Sequence, residues 1–323
     1  MMNSLSKRDA CSAEFSAFHR GLPTCENGQM SQAILPNGIN IEYDTLGDPK
    51  NPTLLWIMGF GAQMTAWPEE FLRLFVEQGF HVVRFDNRDC GLSYKHDGVM
   101  VETDKVTMQA AMGDPVTVPV PYTLSDMAAD AMGVLDHLGI QKAHIIGASM
   151  GGMIAQTVAI EHPHRTQSLT SIMSVPGDLA YGTPTEAALT ALLAPPSPDR
   201  ATYIESAQNW SVWCSKKYFD LDEAKARAAR EFDRSFYPEG SHRQLAAIYA
   251  SGDRSDKLRA LNTPTLVIHG RDDQLLTPSG GERTAELIPG SVFMYVTDMG
   301  HDVPLPLWPI FVDAIASHTR RAS

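Results

Sequence analysis

The chain reads as an α/β protein with a mostly parallel central sheet flanked by helices and interrupted by a helical segment. Three observations predict this. Short continuous apolar runs alternate with segments of helical period from about residue 34 to 175. That alternation stops from about 176 to 256, where the sequence is helix-rich and broken by Pro195-Pro196-Ser197-Pro198. It then resumes at Pro264 and runs to the C-terminal helix. Because the later strands have no complete sheet of their own, one sheet carrying an insertion is the simpler organisation. The expected division is an N-terminal extension over 1–33, a core over 34–175 and 257–323, and a helical cap over 176–256.

The elements follow in order. Gly38-Ile39-Asn40-Ile41-Glu42-Tyr43 alternates apolar and polar residues, the pattern of a half-buried strand. Thr53-Leu54-Leu55-Trp56-Ile57-Met58 is a continuous apolar run ended by Gly59, which suits a strand buried on both faces. Trp67 to Gln78 predicts a helix with Phe71, Leu74 and Phe75 on one side. His81 to Phe85 is the next strand, and Asp86 opens the loop beyond it. Thr123 is a candidate N-cap for a helix running to Leu138. Ala143 to Gly147 is another buried strand, Met150 to His162 a helix, and Leu169 to Val175 strand-like again. Thr265 to His269 and Val292 to Thr297 are the last strands, and Leu307 to His318 is the final helix.

Composition narrows the function classes. The chain has 323 residues, 43% hydrophobic and 20% charged, enough apolar content for a sizeable core. Its formal net charge of -12 repels phosphate backbones, so no nucleic-acid partner is expected. No run approaches the roughly 20 apolar residues of a membrane span. The N-terminal stretch Met1 to Ala10 has no apolar core of a signal peptide. The four cysteines, Cys11, Cys25, Cys90 and Cys214, match neither a metal motif nor a dense disulfide framework. Free thiols in the cytoplasm are the simpler expectation, with a Cys11–Cys25 disulfide the alternative. No metal and no cofactor is expected, and the sequence sets no expectation for oligomeric state.

The chemistry centres on Gly147-Ala148-Ser149-Met150-Gly151, set between a buried strand and a helix. A sharp strand-to-helix turn would hold Ser149 in a strained conformation with its hydroxyl exposed above the sheet. The bland alternative is a glycine-rich turn with Ser149 as a helix N-cap. A serine hydroxyl needs a base, and in this chain order an acid and then a histidine should follow it. Of eleven histidines, only His301 lies in a loop between the last strand and the final helix. His269 is the rival, but its strand-end position reads as packing. The acid is Asp273 or Asp272, in the loop after Thr265–His269. The reach past His269-Gly270 favours Asp273. Asp178 is a weaker candidate, and Asp302 is too close in sequence to His301 to accept from its Nδ1. Two backbone N–H groups should stabilise the oxyanion: Met150, which follows the nucleophile, and Phe60, in the loop Met58-Gly59-Phe60-Gly61-Ala62.

These motifs together resemble the α/β-hydrolase superfamily: Gly-Ala-Ser149-Met-Gly, His-Gly-x-x-Asp273 and Met-Gly-His301. Arg84 to Ser93 is similar to the loop signature of its cap-bearing esterase branch. Met58-Gly59, Trp67-Pro68-Glu69-Glu70-Phe71 and Asp126 to Ala131 resemble the aclacinomycin methylesterase group. The resemblance covers roughly 34 to 320 and is strong in the core and weak in the cap. It implies hydrolysis of carboxylic esters through an acyl-enzyme, without cofactor. Many members carry His-Gly where Met58-Gly59 stands, so no role of that histidine transfers here.

The partner implied is a small-molecule ester, uncharged and partly apolar. Trp210, Trp213, Tyr218, Phe219, Phe236 and Tyr237 could line its pocket, or simply pack the cap helices. Met64, Met150 and Met153 could form an adaptable wall or fill the core. Thioesterase, lactonase, C–C hydrolase and perhydrolase chemistry are alternatives on the same fold. A binding protein that keeps the fold without catalysis is the alternative of a different class.

Overall fold

The computed structural model describes residues 31–322. The Cys11–Cys25 pairing and most of the expected extension lie outside them. Among the described residues, eight strands form one sheet in the order β1-β2-β4-β3-β5-β6-β7-β8. They are β1 Ser31–Ile34, β2 Asn40–Leu46, β3 Thr53–Ile57, β4 His81–Phe85, β5 Ala143–Ala148, β6 Thr166–Ile172, β7 Thr265–Gly270 and β8 Val292–Val296. β2 runs antiparallel to β1 and β4, and every other pair is parallel. The C-terminal ends of β3, β5, β6, β7 and β8 therefore share one edge, where the loops with the candidate catalytic residues emerge. The first strand begins at Ser31, three residues inside the stretch assigned to the extension, because Ser31 to Ile34 pairs with β2.

The helices are α1 Glu69–Glu77, α2 Thr103–Ala111, α3 Leu124–His137 and α4 Met150–Glu161 before the insertion. Between β6 and β7 come α5 Glu186–Leu193, α6 Arg200–Ser206, α7 Leu221–Arg234, α8 Glu239–Ser251 and α9 Ser255–Arg259. α10 Ser279–Leu287 and α11 Trp308–Ala322 complete the chain. α2 has no counterpart in the sequence reading: only Thr103 and Val106 are buried along it, too short an apolar stripe to announce a helix.

The sheet is covered on both faces. On one, Met127, Val134 and Leu135 of α3 and Ile154 and Val158 of α4 pack on Leu55, Ile57, Val83 and Ile145. On the other, Phe71 and Phe75 of α1 and Phe311 and Ile315 of α11 pack on Leu54, Trp56 and Val82. Trp56 meets Trp67, Phe71 and Phe75 edge-on at 4.9, 5.7 and 5.0 Å between ring centroids. Each such fully buried aromatic contributes about 2–3 kcal/mol of transfer free energy.

β2 departs from the expected half-buried strand. It lies between β1 and β4, and its alternating polar residues are buried too. Asp44 accepts a bidentate bond from Arg84 Nε and Nη2 at 2.8 and 2.7 Å, and the Glu42 N–H donates to Ser93 Oγ at 2.9 Å. The polarity of this strand therefore marks buried polar groups, with one ion pair at Asp44, rather than a solvent face. Thr123 caps α3 as expected, and its N–H donates to Asp126 Oδ2 at 2.8 Å.

The insertion is bolted to the core by buried charge. Arg243 of α8 binds Asp89 through Nε and Nη2 at 2.8 and 2.9 Å. Arg234 of α7 reaches Asp86 at 2.7 Å, and Gln63 donates to the Glu231 and Ser235 carbonyls at 2.7 and 3.0 Å. α8 fits so closely that a Cβ on Gly240 would lie 2.0 Å from the Asp89 carbonyl oxygen.

Candidate active site

Ser149 closes β5 and opens α4. Its backbone adopts φ 56°, ψ -124°, a conformation an L-residue holds only under constraint. The constraint is visible on both sides. The Ser149 N–H donates to the Ile172 carbonyl at 3.0 Å, and Ser174 Oγ donates to the Ser149 carbonyl at 2.8 Å. Strand and helix also touch backbone to backbone. A Cβ on Gly147 would lie 2.0 Å from the Gly151 oxygen, and one on Gly151 would lie 2.2 Å from the Ile57 oxygen. This is why glycine stands two residues either side of Ser149. Met150 is the first residue of α4, whose opening N–H groups have no intrahelical acceptor and sit at the positive end of the helix dipole.

The neighbouring strand supplies the second loop. In the β3–β5 ladder Ile57 lies opposite Gly147, so Met58 to Ala62 leaves the sheet beside Ser149. A Cβ on Gly59 would sit 3.0 Å from Ser149 Cβ and 3.5 Å from its Oγ. Ala62 N–H donates to the Gly59 carbonyl at 3.3 Å, closing a turn with Phe60 and Gly61 at its centre. Gly61 takes φ +64°, which the third position of such a turn requires.

The acid and the histidine come from the two strands beyond β6. Asp273 follows β7, and its Oδ2 lies 2.7 Å from His301 Nδ1. Its Oδ1 accepts the Leu275 and Leu276 N–H groups, both at 2.9 Å, which fixes the carboxylate plane. Burial works against the charged carboxylate, but His301 beside it and hydrogen bonds from His269 and His301 outweigh that. Asp273 is held below the ordinary carboxylate range. His269 is buried; its Nε2 donates to the Leu276 carbonyl at 2.7 Å and lies 3.4 Å from Asp273 Oδ2. It therefore braces the acid loop.

Asp272 turns the other way, toward Arg271 at 3.1 Å. Asp178 pairs with Arg283 at 3.8 Å. Asp302 accepts from the Ser215 and Gly300 N–H groups at 2.8 and 3.3 Å, so it shapes the His301 loop from behind. The structure thus joins Asp273 to His301. It sets Ser149 on the same sheet edge, with β6 between β5 and β7. Phe60 stands on the loop beside Ser149, and Met150 at the head of α4.

Several contacts escaped the sequence reading. Asn87 Nδ2 donates to the Met58 carbonyl at 2.8 Å, and Gln244 Oε1 accepts the Gly61 N–H at 2.8 Å. The His301 N–H donates to the Trp213 carbonyl at 2.6 Å. Asn87 alone had a local signal, its place just past β4. Several aromatic residues of the insertion pack within it: Trp210 and Phe219 sit with Tyr203 against Ala207, Ala224 and Ala228, and Phe236 meets Tyr203 edge-on and lies tilted against Phe232. Met64, Met150 and Met153 are buried.

Residues 52–305 match the model of the α/β hydrolase fold. The chain belongs to the α/β-hydrolase fold family. Within it, the chain is similar to the rhodomycin D methylesterase DnrP of Streptomyces peucetius, with 27% identity across 91% of this chain and 99% of the relative. It is also similar to the DauP enzyme of the same description from Streptomyces sp. strain C5, at 26% over the same shares. Among solved structures, the enol-lactonase of Burkholderia xenovorans LB400 has the same fold. It superposes with a TM-score of 0.68 at 20% identity, covering 90% of this chain and 100% of that one.

Proposed function

We propose that this protein hydrolyses carboxylic esters, methyl esters among them, through an acyl-enzyme on Ser149. The observation that carries the reading is the Asp273–His301 bond on the sheet edge where Ser149 holds its strained turn. Similarity to two methylesterases supports the ester class and the small alcohol.

In the first half-reaction His301 Nε2 takes the Ser149 hydroxyl proton while Oγ attacks the ester carbonyl. The carbonyl π electrons move to oxygen, and the Phe60 and Met150 N–H groups receive that charge. Asp273 keeps the Nδ1 proton in place and stabilises the imidazolium without itself taking the proton. Collapse breaks the carbonyl–methoxy bond, and the methoxy group leaves as methanol with the proton from His301. Water then repeats the attack, again with His301 as base, and releases the carboxylic acid and free Ser149. Each oxyanion donor is worth about 10²–10³ in kcat.

The helical insertion acts as a cap over Ser149 in this reading, and the bulk of the substrate is its acyl part. The setting is cytoplasmic. Cys90 and Cys214 are both free, the state a reducing compartment maintains. No helix among the described residues is long and apolar enough to cross a membrane.

The test is a panel of aromatic methyl esters, p-nitrophenyl esters, thioesters and lactones, run on wild type and Ser149→Ala. Esters turn over fastest and Ser149→Ala is inert. Turnover retained by Ser149→Ala would sink the reading.

A further inference from the structure

We propose that Gln244, on α8 of the helical insertion, is the positioning residue that holds the oxyanion loop in its working shape. The inference rests on the reading of Ser149 as acyl carrier and extends it: the hole is completed by the insertion, not by the sheet alone.

Three peptide planes determine where the Phe60 N–H points. The plane between Gly59 and Phe60 contains that N–H, and its carbonyl accepts from the Ala62 N–H at 3.3 Å. In a trans peptide the N–H points opposite the carbonyl, so this turn directs the Phe60 N–H out of the loop. The preceding plane is held by Asn87, whose Nδ2 donates to the Met58 carbonyl. The following plane, between Phe60 and Gly61, is held by Gln244, whose Oε1 accepts the Gly61 N–H at 2.8 Å.

Asn87 belongs to the core, but Gln244 does not. It is 183 positions away from Gly61 and is brought there only by the docking of α8. The side chain is buried, and both ends of its amide are used. Nε2 donates to the Arg88 carbonyl at 2.9 Å, so the donor and acceptor ends cannot be exchanged. Neighbours on the same helix fix its position. Arg243 is locked to Asp89, Gly240 lies against the Asp89 carbonyl, and the His242 carbonyl accepts from Thr103 Oγ1 at 3.1 Å. A second part of the insertion grips the histidine loop: the Trp213 carbonyl accepts the His301 N–H, and the Ser215 N–H donates to Asp302. The insertion therefore touches both the oxyanion loop and the base loop.

The geometry makes Gln244 worth more to the transition state than to the ground state. A loop whose Phe60–Gly61 plane can rotate still admits substrate, but its Phe60 N–H is no longer aimed where charge develops. Gln244→Met keeps the length and removes both hydrogen bonds. It is expected to lower kcat about 30- to 100-fold while KM moves less than about threefold, as small misplacements of catalytic groups do. The Ki of a trifluoromethyl ketone, whose adduct with Ser149 carries an oxyanion, rises by the same factor as kcat falls. The pH profile of kcat keeps its shape, because His301 and Asp273 are untouched. A purely structural role would instead lower the thermal midpoint and leave the kcat of the folded fraction alone.

Gln244→Met that folds and turns over within twofold of wild type overturns the inference. So does a fall in kcat with no change in the ketone Ki. If Gln244→Met does not fold, Gln244→Asn goes through the same measurements. Its amide is one methylene shorter and no longer reaches the Gly61 N–H, and the same paired losses are expected. Ser149→Ala is assayed alongside. Activity in that variant strikes at the underlying reading, whereas an inert Ser149→Ala beside an unimpaired Gln244 variant strikes at the Gln244 inference alone.

Discussion

His301 Nδ1 and Asp273 Oδ2 stand 2.7 Å apart, while the adjacent Asp272 faces Arg271. Two consecutive aspartates therefore have separate fates, decided by the turn after β7. The Leu275 and Leu276 N–H groups draw Asp273 inward.

That separation predicts a ranking. Asp273→Asn loses about 10³- to 10⁴-fold in kcat, because an amide favours the wrong imidazole tautomer and cannot stabilise the imidazolium. Asp272→Asn stays within a few-fold of wild type. Steady-state kinetics on one p-nitrophenyl ester decides between them, and the reverse order would move the acid to Asp272.

The same aspartate predicts a pH dependence of stability. Its folded-state pKa lies below the unfolded value, so it binds its proton more weakly when folded. The stability it contributes is complete above the unfolded carboxylate pKa of about 4, and it drains away as pH falls through the folded pKa. Urea midpoints of wild type and Asp273→Asn should thus converge as pH is lowered from 7 toward 3. Curves that stay parallel across that range would contradict the assignment.

Arg243 and Asp89 form a buried pair between insertion and core. Burial opposes the Asp89 charge, but Arg243, the His96 N–H and Tyr122 hold its pKa low. Arg243→Met strands that carboxylate and should cost about 3–5 kcal/mol. Replacing both partners with apolar residues should recover part of the loss. Denaturant unfolding of the two single variants and the double variant measures the coupling, and strict additivity would show that the pair does not act as a unit.

Gly151 sits where β3 and α4 meet. An alanine there puts a methyl 2.2 Å from the Ile57 oxygen, and something must shift. We expect about 3 kcal/mol of destabilisation and a displaced Ser149 turn. Thermal melts check the first part and fluorophosphonate labelling rates the second. Unchanged values of both would mean the strand and helix have room that the geometry denies.

The candidate site residues were legible because each sits at a strand end with a local signature. Ser149 lies between Gly147 and Gly151, Asp273 follows His269-Gly270, and His301 follows Met299-Gly300. The parallel sheet then gathers those ends on one edge, so position along the chain stood in for position in space. The Gln244–Gly61 bond had no such proxy, because a lone glutamine on a helix is read only once α8 has docked. Polarity misled at β2 for a related reason. Glu42 looks solvent-facing in that alternation until β2 is placed between β1 and β4, where it is buried. Trp210 and Phe219 offered a pocket on paper, and in the fold both pack with Tyr203 against Ala207, Ala224 and Ala228.

The central claim is that Ser149 carries the acyl group, and fluorophosphonate labelling followed by peptide mass spectrometry tests it most directly. We predict one adduct per chain, on the peptide containing Ser149, formed in step with loss of esterase activity. Activity lost through an adduct on any other residue, or activity retained with Ser149 fully labelled, would contradict it.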